Sequence, residues 1–257
     1  MTEFQPASVP IGTPIWVELS SSDLDASAAF YEAVLGWSRA PYNPESFDFS
    51  LGGLEVAGLV ARHGDAPDRW NVYLKVNDMK ATLAAVSAAG GRILHEPVRE
   101  GDDGVWAFLE DPAGVEFGVW QAESFPGFER YGVPGAPCWF ELHSKDYAQA
   151  VPFYEEVFGF SATSIRDSDA FRMVVFGPPN GAFAGIYDAA NSELTTRSQW
   201  MSYFAVEDAN VAAFVVSAHG GRVIDGPVDH PFGRKSRAED STGAAFNFIQ
   251  LRRGEYG

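Results

Sequence analysis

Cysteine, positive charge and long apolar runs are all scarce in this sequence. Cys138 is the only cysteine among 257 residues, which excludes an internal disulfide and a cysteine-rich zinc site and favours a reducing compartment. Lysine and arginine number 18 against 35 aspartates and glutamates, so a nucleic acid is not an expected partner. Since there is neither an apolar run of about 20 residues nor a basic leader, we expect a cytoplasmic protein that does not associate with membranes.

A long internal repeat organises the chain. Residues 16–23 (WVELSSSD) recur as 139–146 (WFELHSKD), and residues 29–36 (AFYEAVLG) recur as 152–159 (PFYEEVFG). Both matches have an offset of 123, and shorter matches follow at offsets of 129 and 130, so the sequence predicts a duplicated module. The predicted divisions are a flexible tail (1–10), a first module (11–121), a linker (122–136) and a second module (137–257).

Each copy divides in turn into two similar halves. Apolar residues at 15, 17 and 19 alternate with 16, 18 and 20, which is typical of a half-buried strand. Asp23 is a suitable N-cap for the helix that follows, and Gly36 is a suitable C-terminal stop. Further strands are predicted at Phe47–Leu51 and Val56–Val60, and the plan repeats from Trp70 with a last strand at 115–120. We therefore expect an α+β protein built from four βαβββ units.

The order of these motifs resembles the glyoxalase/bleomycin-resistance/extradiol-dioxygenase superfamily, also called vicinal oxygen chelate proteins. The resemblance rests on the helix at 29–36, on Val-Asn-Asp at 76–78 opening the next helix, and on Asp-Pro-Ala-Gly at 111–114 before the last strand. All three recur in the second copy. The layout is similar to two-module members such as glyoxalase-like antigens of mycobacteria and actinobacterial proteins labelled hydroxylases. The resemblance implies two curled, cup-shaped mixed sheets with helices on the outer face.

The superfamily also implies positions for a divalent metal on the concave face of each sheet. In this sequence those positions hold Trp16 and Trp139, Asn71 and Met201, Gly118 and Asn247, and small or apolar residues within 57–59 and 184–186. Protein sites for zinc, iron, nickel or manganese are made from imidazole, carboxylate or thiolate groups. We therefore expect no cofactor and no family-type metal. A divalent metal held by a different ligand set is the alternative.

Each cup, meaning the concave face of one module's sheet, contains a tryptophan that offers a flat surface to a planar ligand. The expected ligand-binding residues are Trp16, Asn71, Tyr73 and Trp120 in the first cup and Trp139, Met201, Tyr203 and Asn247 in the second. We expect the ligand to be an aromatic or polyketide-like small molecule. The alternative is that both tryptophans fill the cups as core packing.

Glu18 and Glu141 each follow a cup tryptophan by two residues and face the same side. Because a buried carboxylate is costly without a partner, both are candidate general acids or bases, with His143 as a second proton carrier. A structural alternative is that each carboxylate bonds an indole N–H or a tyrosine hydroxyl.

Three functions therefore remain open. They are a metal-free binding protein, an enzyme and a scaffold for interaction or regulation. The enzyme would be an acid/base isomerase, cyclase or hydroxylase-like protein, or else a metal-dependent lyase or dioxygenase. Since the duplication supplies the symmetry that a dimer would provide, the sequence is compatible with a monomer or a homodimer.

Overall fold

The computed structural model describes residues 5–43, 46–159, 161–168, 171–177 and 181–252. The first module contains β1 (Pro14–Ser21), α1 (Leu24–Leu35), β2 (Ser38–Asn43), β3 (Ser46–Leu51), β4 (Leu54–Ala61), β5 (Arg69–Lys75), α2 (Met79–Ala88), β6 (Arg92–Glu100), β7 (Gly104–Glu110) and β8 (Glu116–Ala122). The second module contains β9 (Pro137–Ser144), α3 (Tyr147–Phe158), β10 (Ala162–Ser168), β11 (Phe171–Phe176), β12 (Ala184–Asp188), β13 (Gln199–Ala205), α4 (Ala209–Ala218), β14 (Arg222–His230), β15 (Gly233–Glu239) and β16 (Ala245–Leu251). A short 3-10 helix, Pro6–Ser8, precedes β1.

Each module forms one eight-stranded mixed sheet. The strand order is β2-β3-β4-β1-β5-β8-β7-β6 in the first module and the equivalent order in the second. An antiparallel pair, β1 with β5, joins the two halves and places Glu18 opposite Asn71. The prediction of an α+β fold with four βαβββ units in two mixed sheets is confirmed.

The helix ends follow the capping residues in the sequence. The Asp23 carboxylate accepts a hydrogen bond from the Ala26 amide at 3.0 Å, and Gly36 ends α1 in the left-handed conformation with φ at 73°. Asp78, Asp146 and Asp208 cap the other three helices in the same way. Within the described ranges, no helix is long and apolar enough to cross a membrane.

The outer strands differ most from expectation. The sequence indicates no strand at 38–43, where Pro41 interrupts the pattern, and it predicts β6 only as Arg92–Leu94. The structure has a full strand at β2, and β6 continues through Pro97 to Glu100. Both strands lie at the edges of the sheet, where a proline costs no hydrogen bond on the open side. Proline is therefore a weaker signal at these two positions than it is inside a sheet.

The two modules are joined by reciprocal hydrogen bonds in a shared core. The Trp70 indole N–H donates to the Tyr31 hydroxyl at 2.8 Å, and this hydroxyl donates to Asp240 of the second module at 3.0 Å. In the opposite direction, Trp200 donates to Tyr154, whose hydroxyl donates to Asp111 of the first module. Burial raises the pKa of Asp111 to about 6. A tyrosine of each module thus donates a hydrogen bond to a buried aspartate of the other module. The two duplicated modules share one core rather than forming two.

Candidate functional site

A cavity of about 830 Å³ occupies the first cup. Strand β1 contributes Trp16 and Glu18, β5 contributes Asn71 and Tyr73, and β8 contributes Trp120. Alternate residues of a strand share one face, so these side chains reach the same space from three neighbouring strands. The structure therefore brings together all five residues that the sequence predicts for this cup.

Glu18 is the buried carboxyl group of this cavity. The Tyr73 hydroxyl donates a hydrogen bond to Glu18 Oε1 at 3.0 Å. Burial raises the pKa of Glu18 to about 7, and the nearby charges of Asp48 and Glu100 act in the same direction, whereas the hydrogen bond from Tyr73 opposes the rise. Glu18 can therefore exchange a proton near neutral pH. It also has the tyrosine partner that the structural alternative requires.

The mouth of this cavity is acidic. Five further carboxylates line the cavity: Asp48, Glu55, Glu100, Asp103 and Glu116. Burial and the charges of its acidic neighbours raise the pKa of Asp48 to about 6. The two arginines that line the cavity already have carboxylate partners, since Arg62 pairs with Asp68 at 3.0 Å and Arg69 pairs with Glu116. Negative charge therefore dominates the cavity.

Trp16 is packed on one side and open to the cavity on the other. The Phe125 ring contacts it edge to face at a centroid distance of 4.9 Å, and the Phe128 ring lies 5.8 Å away. Both phenylalanines belong to the connector between the modules. Trp16 remains half-buried and lines the cavity. Packing thus orients this indole without removing it from the cavity.

Four aromatic residues that line the first cavity were not predicted from the sequence: Phe47, Phe125, Trp106 and Phe108. Trp106 and Phe108 line it from β7, and the Trp106 ring lies 4.8 Å from the His95 ring. The signal is present in the pattern, because β7 alternates core residues with these large aromatic side chains and so is apolar on both faces. When both faces of a strand are apolar, either both faces are buried or one of them lines a cavity.

The cavity of the second cup is smaller, at about 310 Å³. Glu141, His143, Tyr203 and Asn247 line it, as the sequence predicts for these four residues. Trp139 and Met201 are not among the residues that line it. Met201 is only 1% exposed, and the Trp139 indole N–H donates to Glu141 Oε2 at 3.2 Å. The structure therefore does not bring Trp139 and Met201 to the second cavity.

Glu141 is held by a dense set of donors. Its Oε1 atom lies 2.8 Å from His143 Nε2 and accepts from the Tyr203 hydroxyl at 3.4 Å. His143 Nδ1 lies 3.2 Å from the Thr195 hydroxyl. Burial raises the pKa of Glu141, but hydrogen bonding and charge interactions with His143, assisted by Lys235, outweigh burial and leave this pKa below its ordinary value. The pKa values of the two equivalent glutamates are thus shifted in opposite directions: that of Glu18 is raised and that of Glu141 is lowered.

Each module of the duplicated fold matches a known protein family. The model of the glyoxalase/bleomycin resistance protein/dioxygenase superfamily matches residues 14–119 and 139–248. The chain belongs to this superfamily. Its two matched segments correspond to the two sheets, so each eight-stranded sheet is one superfamily module.

Relatives of similar length support this assignment. The anthracycline biosynthesis protein DauV of Streptomyces sp. strain C5 is 33% identical and the alignment covers 98% of this chain and 96% of DauV. CFP32 of Mycobacterium tuberculosis, whose name proposes a glyoxylase, is 30% identical over 93% of this chain and 95% of its own length. The Mn(II)-bound glyoxalase of Novosphingobium aromaticivorans has a TM-score of 0.67 at 21% identity, covering 95% of this chain and 83% of that protein, which shows the shared fold.

The residues at the superfamily metal positions of the first cup, which include Trp16, Asn71 and Gly118, carry no imidazole, carboxylate or thiolate group. A Cβ atom added to Gly118 would overlap the Tyr73 ring, and one added to Gly58 would lie 3.3 Å from the Trp16 indole nitrogen. Aromatic rings thus fill the space that ligands on these strands would need. Within the described part of the chain, no three histidine, cysteine, aspartate or glutamate side chains converge as a metal site.

Proposed function

We propose that the first cup binds a planar aromatic or polyketide-like molecule without a family-type metal. The observation that carries this proposal is the cavity of about 830 Å³, which Trp16, Trp106 and Trp120 line around the Glu18 carboxyl group. This volume lies within the range of small-molecule pockets, roughly 300–1,000 Å³. Indole faces provide flat contact area, and Glu18, Tyr73 and Asn71 provide a few polar groups that orient a ligand.

The relatives are compatible with this ligand class. DauV is named for anthracycline biosynthesis, and a fused-ring aromatic molecule of that kind matches flat indole walls. The chemistry of the metal positions supports the metal-free part, because indole, amide and hydrogen replace imidazole and carboxylate at Trp16, Asn71 and Gly118.

Ligand binding is tested by titrating the full chain with a neutral hydroxyanthraquinone and recording tryptophan fluorescence and binding heat. We expect Trp16→Leu to weaken binding about tenfold, because one stacking face is lost. Trp139→Leu is the matched control, since Trp139 is the equivalent residue and does not line the second cavity. No binding by the wild-type chain across a panel of planar aromatics would favour the packing and scaffold alternatives.

Metal content is tested separately by elemental analysis of the purified protein. We expect zinc, iron, nickel and manganese each to be far below one atom per chain. One equivalent of metal that is lost in a Glu141→Gln, His143→Ala double variant would contradict the metal-free proposal and identify a different ligand set.

A second candidate function, acid–base catalysis without metal, is favoured by Glu18. A carboxyl group whose pKa is near 7 is half protonated at neutral pH and can both donate and accept a proton. The Tyr73 hydroxyl would orient the carboxyl group and stabilise its ionised form through the 3.0 Å hydrogen bond. Proton transfer to a ligand carbonyl oxygen, or from an adjacent acidic carbon, is the chemistry that this pair allows.

Catalysis is tested with Glu18→Gln, which keeps the shape of the side chain and removes its titration. If turnover of a bound aromatic substrate is found, we expect this variant to lose it while retaining binding. Glu141→Gln should leave turnover in the first cup unchanged. Full activity in the Glu18→Gln variant would exclude Glu18 as the proton carrier.

A further inference from the structure

We propose that the second cup is a separate site for a small anionic molecule, bound through its carboxylate or phosphate group by Arg237, Lys235 and Asn247. All three side chains line the cavity of about 310 Å³. The inference does not depend on an aromatic ligand in the first cup, since it concerns the other module and other residues.

The first line of support is a pair of cations without anionic partners. Lys235 and Arg237 are alternate residues of β15 and therefore share a face. Among the residues that the structure describes, no carboxylate oxygen lies within ion-pair distance of either side chain. Arg237 Nη1 instead donates a hydrogen bond to the Thr195 hydroxyl at 3.4 Å. Arg234 on the same strand, by contrast, pairs with Asp229 at 2.9 Å.

The second line of support is an unsatisfied donor. Asn247 is 5% exposed, and its Nδ2 atom is buried without a hydrogen-bond partner. The residue lies directly opposite Arg237 in the pairing of β15 with β16. A buried N–H group without a partner destabilises a protein, and an anionic oxygen in the cavity would satisfy it.

The duplication provides an internal comparison. Strands β7 and β15 correspond at an offset of 129, and β6 and β14 correspond at an offset of 130, in both sequence and register. On β6 and β7, four positions that line both cavities change between the cups: Trp106 to Lys235, Phe108 to Arg237, Glu100 to His230, and His95 to Asp225. In addition, Gly118 on β8 corresponds to Asn247, which lines the second cavity. Apart from His95 to Asp225, these changes replace a glycine or an apolar or acidic residue with a hydrogen-bond donor or a basic group. The second cup therefore differs from the first in the direction that an anion requires.

The carboxylates of the second cup do not neutralise these cations by contact. Both oxygens of Glu141 are already occupied by His143, Tyr203 and Trp139. Asp225 lies opposite Arg237 in the pairing of β14 with β15, but its exposed side chain forms no ion pair with Arg237 and affects it only through longer-range charge interaction. Burial lowers the pKa of Arg237, so this guanidinium carries a desolvation cost that a bound anion would offset.

The test uses the full chain and three probes in titration calorimetry at neutral pH: benzoate, inorganic phosphate and uncharged benzamide. We expect benzoate or phosphate to bind with one site per chain and benzamide not to bind. Arg237→Gln should weaken anion binding roughly 10- to 100-fold, since a charge-assisted hydrogen bond is lost. Arg234→Gln is the matched control and should leave binding unchanged.

The outcomes separate the sources of the anionic group. Binding of benzoate alone indicates a carboxylate ligand, and binding of phosphate alone indicates a phosphate ester. Absence of binding by either anion at millimolar concentration would overturn the proposal, as would equal binding of benzamide. Should Arg237→Gln fail to fold, Lys235→Met and the benzoate–benzamide comparison in the wild-type chain decide. If Trp16→Leu abolished anion binding while Arg237→Gln bound the anions as well as the wild type, the anion would lie in the first cup. That result would refute the assignment.

Discussion

Glu18 should make the stability of the folded chain depend on pH in a way that one substitution removes. Its pKa rises from 4.5 to about 7 on folding, because burial disfavours the charged form. The folded state therefore binds this proton more tightly than the unfolded state does. As pH rises from about 4.5 through 7, ionisation of Glu18 destabilises the folded state, and this cost is complete above pH 7.

The size of the effect follows from that difference. The interval between 4.5 and about 7 corresponds to an upper limit of about 3 kcal/mol in the free energy of unfolding. Glu18→Gln cannot ionise and is free of this cost. The free energy of unfolding of the variant minus that of the wild type should therefore rise by up to about 3 kcal/mol between mildly acidic and mildly alkaline pH.

Urea denaturation followed by circular dichroism, at several pH values across this interval, measures the difference. Other titrating groups contribute to both proteins and largely cancel. Glu141→Gln is the matched control: the pKa of Glu141 is lowered, so its stabilising contribution is already present above the ordinary pKa of a glutamate and is lost only at more acidic pH. A difference for Glu18→Gln that does not change with pH would show that Glu18 titrates normally and would remove the basis for its role as a proton carrier.

Two further predictions concern packing. Tyr31→Phe should lower the free energy of unfolding, measured by urea denaturation, by about 1–3 kcal/mol, because Asp240 and the Trp70 indole each lose a buried hydrogen-bond partner. An unchanged denaturation midpoint would argue against the link between the modules. Gly118→Ala should lower the thermal midpoint of unfolding, because the new methyl group would overlap the Tyr73 ring. If Tyr73 moves into the cavity, this variant should also bind aromatic ligands more weakly. A variant as stable as the wild type would show that the Tyr73 ring moves freely.

Local sequence signals account for most of the fold. The aspartate caps and terminal glycines locate the helices because a cap is satisfied within one turn of the chain. Strand β2 was not predicted because Pro41 is acceptable only when the strand lies at an edge, and edge position is set by the pairing of distant strands. The bonds from Tyr31 and Tyr154 to the opposite module also join residues far apart in sequence, which no local pattern identifies.

The candidate site was predictable to a different extent in the two cups. Alternation along β1, β5 and β8 correctly placed the five residues of the first cup on one face. The same alternation also places Trp139 and Met201 on the concave side of the second sheet, but it does not report how far a cavity extends. That extent depends on neighbouring side chains from other strands, such as Met173, which lies within 2.6 Å of a Cβ atom added to Gly185.

The contrast between the cups follows from how the two modules are joined. The reciprocal bonds from Tyr31 to Asp240 and from Tyr154 to Asp111 lie in the shared core, so they constrain residues on the outer side of each sheet. On the concave side of the first module, Tyr73 and Trp120 belong to a separate small cluster, so changes there need not disturb the bonds between the modules. The first cup accordingly combines indoles with carboxylates, whereas the second places Lys235 and Arg237 beside a donor-saturated Glu141. A duplicated chain of this kind can keep one fold while its two cups bind chemically different molecules, and selective loss of aromatic binding in Trp16→Leu and of anion binding in Arg237→Gln would demonstrate that separation.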